Sequence, residues 1–348
     1  MKESLLYITR KTKGIGGMQR LSHDFMRAAT SDEHCSFSVI HPYGWLPLDI
    51  TFPIRAITAG ASHALRRHTI HLGDALLCPL IPVFHFFGAK RVTITACGLD
   101  VLFSNRFYQK ILIGFLSRAD AVVCISAKTA EEVRKRGVPS ANISVIPCGI
   151  HANDLRAHDR HQNNTPVLLC LGRLVPRKGV AWFLEKVFPI LRQRHPTIGL
   201  HIIGDGSERV QIEHLCDALD LRSSVKILGQ VTDEEKERAL VEATLFIMPN
   251  IPVEHDMEGF GIVCIEASAR GLPVVAARLE GIKDAVIEGR TGTFFTPLGS
   301  MDAVRAIEQA LSHSLSPDSV RTATLEHFDW KKLFDRYCTE VFAFSPHA

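Results

Sequence analysis

Glu258 and Glu266 stand eight positions apart in Glu258-Gly-Phe-Gly-Ile-Val-Cys-Ile-Glu266, with glycines after the first carboxylate and an apolar run before the second. If 260–269 forms a helix, eight residues turn through about 800°, which sets both carboxylates near one face and roughly 12 Å apart along the axis. That separation suits two parts of one extended ligand rather than a single metal ion. Gly259 and Gly261 carry no Cβ, so backbone N–H groups at the helix start can approach an anion, together with the amides of Phe260 and Ile262. A ligand with hydroxyls for the carboxylates and a diphosphate for the helix end matches this pattern, and a nucleotide sugar is such a ligand. Two solvated glutamates would show the same spacing. The apolar company of Val263, Cys264, Ile265 and Ala267 argues for burial instead, and an unpaired buried glutamate costs several kcal/mol.

Two further turns offer anion grips. Gly172-Arg173-Leu-Val-Pro-Arg177-Lys178-Gly179 follows a strand-like run, so Arg173 and Lys178 bracket a proline turn at the mouth of a β–α loop. Arg can hold a diphosphate through its planar fork and Lys as a point charge, although a lone basic turn is also a common solvated surface feature. Lys11-Thr-Lys-Gly14-Ile-Gly16-Gly17 opens the first half of the chain in the same way. It is neither G-x-G-x-x-G with a following acidic residue nor G-K-[ST], which disfavours a dinucleotide site or an ATPase. Nothing interleaves the basic residues with a stacking platform, so nucleic-acid readout is not expected.

Elements must position these residues. Strand-like and helix-like runs alternate throughout, which predicts an α/β class with parallel sheets. The 348 residues, 46% of them hydrophobic, suffice for about two domains. The polar, aperiodic stretch 151–165 reads as their linker, giving a first domain at 1–160 and a second at 165–330. Helices are expected at 107–117, 180–193 and 331–342, and the aromatic-rich C-terminal segment (331–348) is expected to pack back onto the first domain. Charge is uneven: residues 1–160 hold 20 Lys and Arg against 12 Asp and Glu, whereas residues 161–348 hold 20 against 25. The basic half suggests a surface that meets something anionic. The nine cysteines form no C-x-x-C pair and sit in apolar runs, as reduced thiols of a cytoplasmic protein do. The longest apolar stretch is interrupted by prolines and too short to span a bilayer, which leaves a soluble protein or one held peripherally at the inner face of a membrane.

In order, the chain carries the glycine-pair loop, T-x-T-x-x-G-x-D at 93–100, Ala119-Asp-Ala-Val-Val-Cys-Ile-Ser126, Ile146-Pro-Cys-Gly-Ile, G-R-L-x-x-x-K-G at 172–179, I-I-G-D-G at 202–206 and E-G-F-G-I-x-x-x-E-A at 258–267. This series resembles the family 4 retaining glycosyltransferases over nearly the whole chain. The resemblance implies the GT-B fold, two Rossmann-like doubly wound domains facing each other across a cleft, the first for the acceptor and the second for the nucleotide-sugar donor. It implies that Glu258 and the amides of Gly259, Phe260, Gly261 and Ile262 approach the transferred sugar and diphosphate, and that Glu266 holds the ribose. Arg173 and Lys178 would neutralise the leaving diphosphate, with Gly16 and Gly17 closing on it. No metal or other cofactor is implied, since cations and helix ends replace the divalent ion.

The implied activity is metal-independent, retaining transfer of a sugar to a glycan or lipid-linked acceptor, in cell-envelope polysaccharide or glycolipid synthesis. Two departures stand out. Relatives commonly carry a histidine before the glycine of the T-x-T segment, where this chain has Cys97, a weak donor. Cys97, Asp100 and His71 are therefore the candidate sugar or acceptor contacts. The second departure is Cys148-Gly-Ile-His151 in place of Asn-Gly-Val-Asp. The alternatives are a turnover-impaired sugar-nucleotide-binding or scaffolding protein of the same fold, or another GT-B activity such as a nucleotide-sugar epimerase.

Overall fold

The structure is a computed structural model that describes residues 2–10, 12, 16–43, 49–155 and 165–344. The chain divides into two compact units, Met1–His151 with Phe328–Ala348, and Ala152–His327. The boundary at 151/152 falls at the start of the polar stretch, whose residues 156–164 lie outside the described ones, as do 11 and 13–15 of the glycine-pair loop and the final 345–348.

The first unit holds a parallel sheet of β1 (Glu3–Ile8), β2 (Cys35–Ile40), β3 (Thr69–Leu72), β4 (Arg91–Ala96), β5 (Ala121–Cys124) and β6 (Ile143–Val145) in the order β2-β1-β3-β4-β5-β6. Every residue of β3 and β5 is buried, as expected of strands covered by helices on both faces. The strand order reverses between β1 and β3. In doubly wound sheets that switch point opens a crevice beyond the carboxyl ends of the strands.

The helix Gly17–Ser31 leads away from this crevice and buries Leu21, Phe25 and Ala29. Phe25 is ringed by Trp330, Phe334, Tyr337 and Phe342, so the C-terminal helix Trp330–Arg336 lies within the first unit's core. The returning chain is pinned by hydrogen bonds from Ile150 N–H to the Phe328 carbonyl (2.7 Å) and from Trp330 N–H to the Ile150 carbonyl (3.0 Å).

The second unit repeats the design with β7 (Val167–Leu171), β8 (Gly199–Ile203), β9 (Val225–Gly229), β10 (Leu245–Met248), β11 (Val274–Ala277) and β12 (Gly292–Phe295), ordered β12-β11-β10-β7-β8-β9 and parallel. Its switch point lies between β7 and β10.

Three expected helices differ. The 180–193 segment breaks into Val180–Lys186 and Phe188–Arg194, because Pro189 cannot donate its backbone hydrogen bond to the first piece. The 107–117 segment is a wide π-type turn at Tyr108–Leu112 followed by tight 3-10 turns at Ile113–Arg118. The helix expected from residue 260 begins only at Ile262 and ends at Ser268, because Gly261 takes a left-handed conformation (φ 91°) that a right-handed helix does not admit.

Candidate active site

The second unit's switch point gathers charged side chains around a pocket. The turn after β7 and the chain after β10 enclose a pocket lined by Gly172, Arg173, Lys178, Ile203, Pro249 and Asn250. The turn closes at Gly179 (φ 65°), where a Cβ would lie 2.1 Å from the Pro249 carbonyl oxygen. Only glycine permits that approach, and it brings Lys178 against the strand end.

Glu258 completes the cluster. Its Oε2 accepts from Lys178 Nζ at 2.6 Å and from Asn250 Nδ2 at 3.3 Å, and Arg177 Nη2 stands 3.9 Å away. Its main-chain N–H donates to Glu280 Oε2 at 2.5 Å, which fixes the loop before the helix. Burial pushes the Glu258 carboxyl up, but the Lys178 and Arg177 charges outweigh it and hold the group below its ordinary range. Arg173 is exposed and forms no ion pair among the described residues. The turn therefore combines a cation already paired with a carboxylate and one open to a ligand.

Glu258 and Glu266 are not on one helix. Glu258 lies in the loop before Ile262, and only Glu266 is helical. Glu266 is 8% exposed, and its carboxylate forms no hydrogen bond among the described residues, while its carbonyl accepts from Arg270 Nη1 at 2.9 Å. The helix is seven residues long, and the cations beside Glu258 are the side chains of Lys178 and Arg177. Gly259, Phe260 and Gly261 form the approach to that helix, of which Ile262 is the first residue, with Phe260 buried.

The first unit arranges its candidates differently. Gly16 precedes the helix Gly17–Ser31, and no side-chain cap forms there among the described residues. His71, in β3, is 1% exposed, with Nδ1 2.8 Å from Thr93 Oγ1 and Nε2 2.9 Å from Thr95 Oγ1. Burial pushes its pKa down to about 3, so the ring is neutral. Both nitrogens are committed to the sheet interior, and His71 does not present a group to a ligand.

Asp100 accepts from the N–H groups of Ala75 (2.8 Å), Cys97 (2.9 Å) and Val101 (2.9 Å), and burial pushes it up to about 6. It ties the loop after β4 to the loop after β3, which is a positioning task rather than a sugar contact. Cys97 is 7% exposed, and burial raises its thiol well above the usual value. It is a small neutral group immediately after β4.

Sequence reasoning missed Asn250, Glu280 and the pair of Arg10 with the buried Asp74 (2.9 Å) at the first switch point. Asn250 directly after β10 carried a readable signal, since residues following strand ends at a switch point face the crevice.

A model of the family described as "Glycosyl transferases group 1" matches residues 152–326, and one described as "Glycosyltransferase Family 4" matches residues 55–154. The chain belongs to the family 4 glycosyltransferases. A phosphatidyl-myo-inositol mannosyltransferase of Propionibacterium freudenreichii is 32% identical over 350 residues, covering 91% of this chain and 86% of that protein. A GDP-mannose-dependent alpha-(1-6)-phosphatidylinositol monomannoside mannosyltransferase of Mycolicibacterium smegmatis is 30% identical over 263 residues, covering 71% and 69%. Among solved structures, Anabaena Alr3699/HepE in complex with UDP superposes with a TM-score of 0.77 at 17% identity, over 99% of this chain and 100% of that one. The lipopolysaccharide outer core galactosyltransferase WaaB gives 0.73 at 19% identity, over 98% and 99%. These structural likenesses establish the GT-B fold. As a glycosyltransferase, the chain has its charged cluster at the switch point where this class of fold places ligands.

Proposed function

We propose that this glycosyltransferase transfers a sugar from a nucleotide-sugar donor to a hydroxyl of a lipid-linked or glycan acceptor, in envelope glycan or glycolipid synthesis, with retention at the anomeric carbon and without a metal ion. One observation carries the reading: Lys178, Arg173 and Glu258 converge at the second unit's switch point, where cations meet a carboxylate beside a pocket. Lys178 and Arg173 neutralise charge that develops on the departing diphosphate, and Glu258 accepts hydrogen bonds from hydroxyls of the transferred sugar. Glu266, buried without a carboxylate partner among the described residues, takes the ribose hydroxyls.

The acceptor hydroxyl bonds to the anomeric carbon on the face from which the diphosphate leaves, and its proton passes to a departing phosphate oxygen. The products are the glycoside and a nucleoside diphosphate. Orientation and electrostatics supply the acceleration. Gly16 and Gly17, at the start of the first unit's helix Gly17–Ser31, offer first-turn N–H groups to an anion.

Relatives named for phosphatidylinositol substrates favour a lipid acceptor. The first unit supports peripheral contact with an anionic membrane from the cytoplasmic side. Ile50 (73% exposed), Ile54 and Leu65 stand on or beside the helix Phe52–Leu65 with the exposed Arg66 and Arg67 after it, while Phe107 and Ile111 are exposed near Lys110. Among the described residues no helix is long and apolar enough to cross a membrane. Sedimentation with phosphatidylglycerol-containing vesicles, weakened by salt, is the expected result, and binding indifferent to anionic lipid contradicts this contact.

The test of the reaction is a donor screen that begins with GDP-mannose and UDP-sugars in EDTA-containing buffer. Slow donor hydrolysis should release sugar with the donor's anomeric configuration, read by NMR before mutarotation. Inverted product, or dependence on added metal, overturns the mechanism.

A further inference from the structure

Arg177 is the group that the donor-site reading leaves unexplained. It lies 5% exposed in the turn Pro176–Lys178, anchored by its carbonyl, which accepts from Ile251 N–H at 3.0 Å. Its Nε stands 3.2 Å from Asp256 Oδ1 and its Nη2 3.9 Å from Glu258 Oε2, yet among the described residues Nε and Nη1 make no hydrogen bond. Leaving buried charged donors without hydrogen bonds is costly, and an apolar side chain would fill the same space without that penalty. The arrangement has a use if the guanidinium is needed in a second position.

The neighbouring ion pair supplies one. Lys178 Nζ is 2.6 Å from Glu258 Oε2, so the lysine assigned to the diphosphate is also the cation that holds the sugar-side carboxylate. Turning Lys178 toward a diphosphate strips Glu258 of its nearest counter-charge in a buried place, where an unpaired carboxylate would take up a proton or swing away. Arg177 Nη2 faces the same oxygen from about one ångström beyond charge-assisted hydrogen-bond length.

We propose that Arg177 is a positioning residue that exchanges with Lys178: as the donor diphosphate draws Lys178 off, Arg177 closes on Glu258 and keeps it ionised and aimed at the transferred sugar. The proposal rests on the donor-site reading above. The other groups facing this carboxylate do not replace Arg177. Asn250 donates one neutral hydrogen bond, while Asp256 and Glu280 are acidic. Cys264 is a neutral thiol whose pKa burial pushes up to about 12.

The test compares Arg177→Gln, Arg177→Met and Arg177→Lys with Lys178→Ala in the full chain, reading kcat, donor KM and the acid limb of the kcat–pH profile. The neutral variants should lower kcat by about 10- to 100-fold with donor KM within about threefold, and move the acid limb up by about one pH unit. Arg177→Lys keeps the charge and should leave the limb in place while restoring part of kcat. Arg177→Gln retains hydrogen-bonding capacity and serves if the methionine variant does not fold. A wild-type kcat and acid limb in the neutral variants, with Lys178→Ala crippled, overturns the exchange alone. Full turnover in Lys178→Ala overturns the donor-site reading beneath it.

Discussion

The two switch points of this chain treat charged and polar side chains in opposite ways. At the first, between β1 and β3, Asp100 is saturated by three backbone N–H groups, Asp74 is gripped by Arg10, and both nitrogens of His71 are held by threonines. At the second, between β7 and β10, Arg173 has no ion pair, Arg177 has two unbonded N–H positions, and Asn250 Oδ1 has no hydrogen-bond partner, all counted among the described residues. Charges that are fully matched hold loops in place. Charges left over are available to a ligand, and the largest functional effects are therefore expected at the second point.

The strongest break is Lys178→Ala. Steady-state turnover with the best donor should fall by about one to three orders of magnitude, as for loss of one preorganised electrostatic donor. Arg173→Ala should fall in the same range. Near-normal turnover in both would erase the contrast between the two points.

The contrast was partly legible in the sequence. Alternating runs disclosed the doubly wound units, and the spacing of Gly172-Arg173 to Lys178-Gly179 disclosed the basic turn, because both depend on residues close in the chain. The strand Thr69–Leu72 was harder to read: it has four residues and carries a histidine whose partners lie 22 and 24 positions away. His71 therefore looked like a ligand, although packing made it core. The helix start was misplaced because the conformation of Gly261 is not encoded in apolar periodicity. Asn250 and Glu280 reach Glu258 from other loops, so their role appears only in three dimensions.

Glycines sharpen the comparison. Gly179→Ala should destabilise the second unit by about 3 kcal/mol or more, since a left-handed backbone and an immobile carbonyl both oppose the methyl. A denaturation midpoint checks this. Gly17→Ala should do the reverse for stability, because no atom of the described residues lies within 4 Å of its added Cβ, and a helical Gly→Ala gains about 0.4–1 kcal/mol. If Gly17 serves the donor, its alanine variant loses turnover while gaining stability. A variant with unchanged turnover means that Gly17 takes no part in the reaction.

A pH slope tests the matched groups of the first point. The His71 pKa is about 3 in the fold against an unfolded value near 6.5, so the unfolded chain binds the extra proton. His71 thus lowers stability by about 1.4 kcal/mol per unit as pH falls from 6.5 toward 3. Asp100, raised to about 6 from 3.8, binds its proton first in the folded state and opposes that slope between pH 6 and 3.8. His71→Phe should therefore gain stability relative to wild type on acidification, read as the difference between urea midpoints at pH 6.5 and 4.5. A constant difference across that window would mean that the buried ring does not titrate as the geometry implies.

The central claim is that the second unit's cations hold the donor diphosphate. Calorimetric affinity for UDP and GDP, compared between wild type and Lys178→Ala, tests it most directly. Loss of a charge-assisted contact predicts binding weaker by about tenfold or more for the preferred nucleotide. Equal affinity in the two proteins would contradict the account.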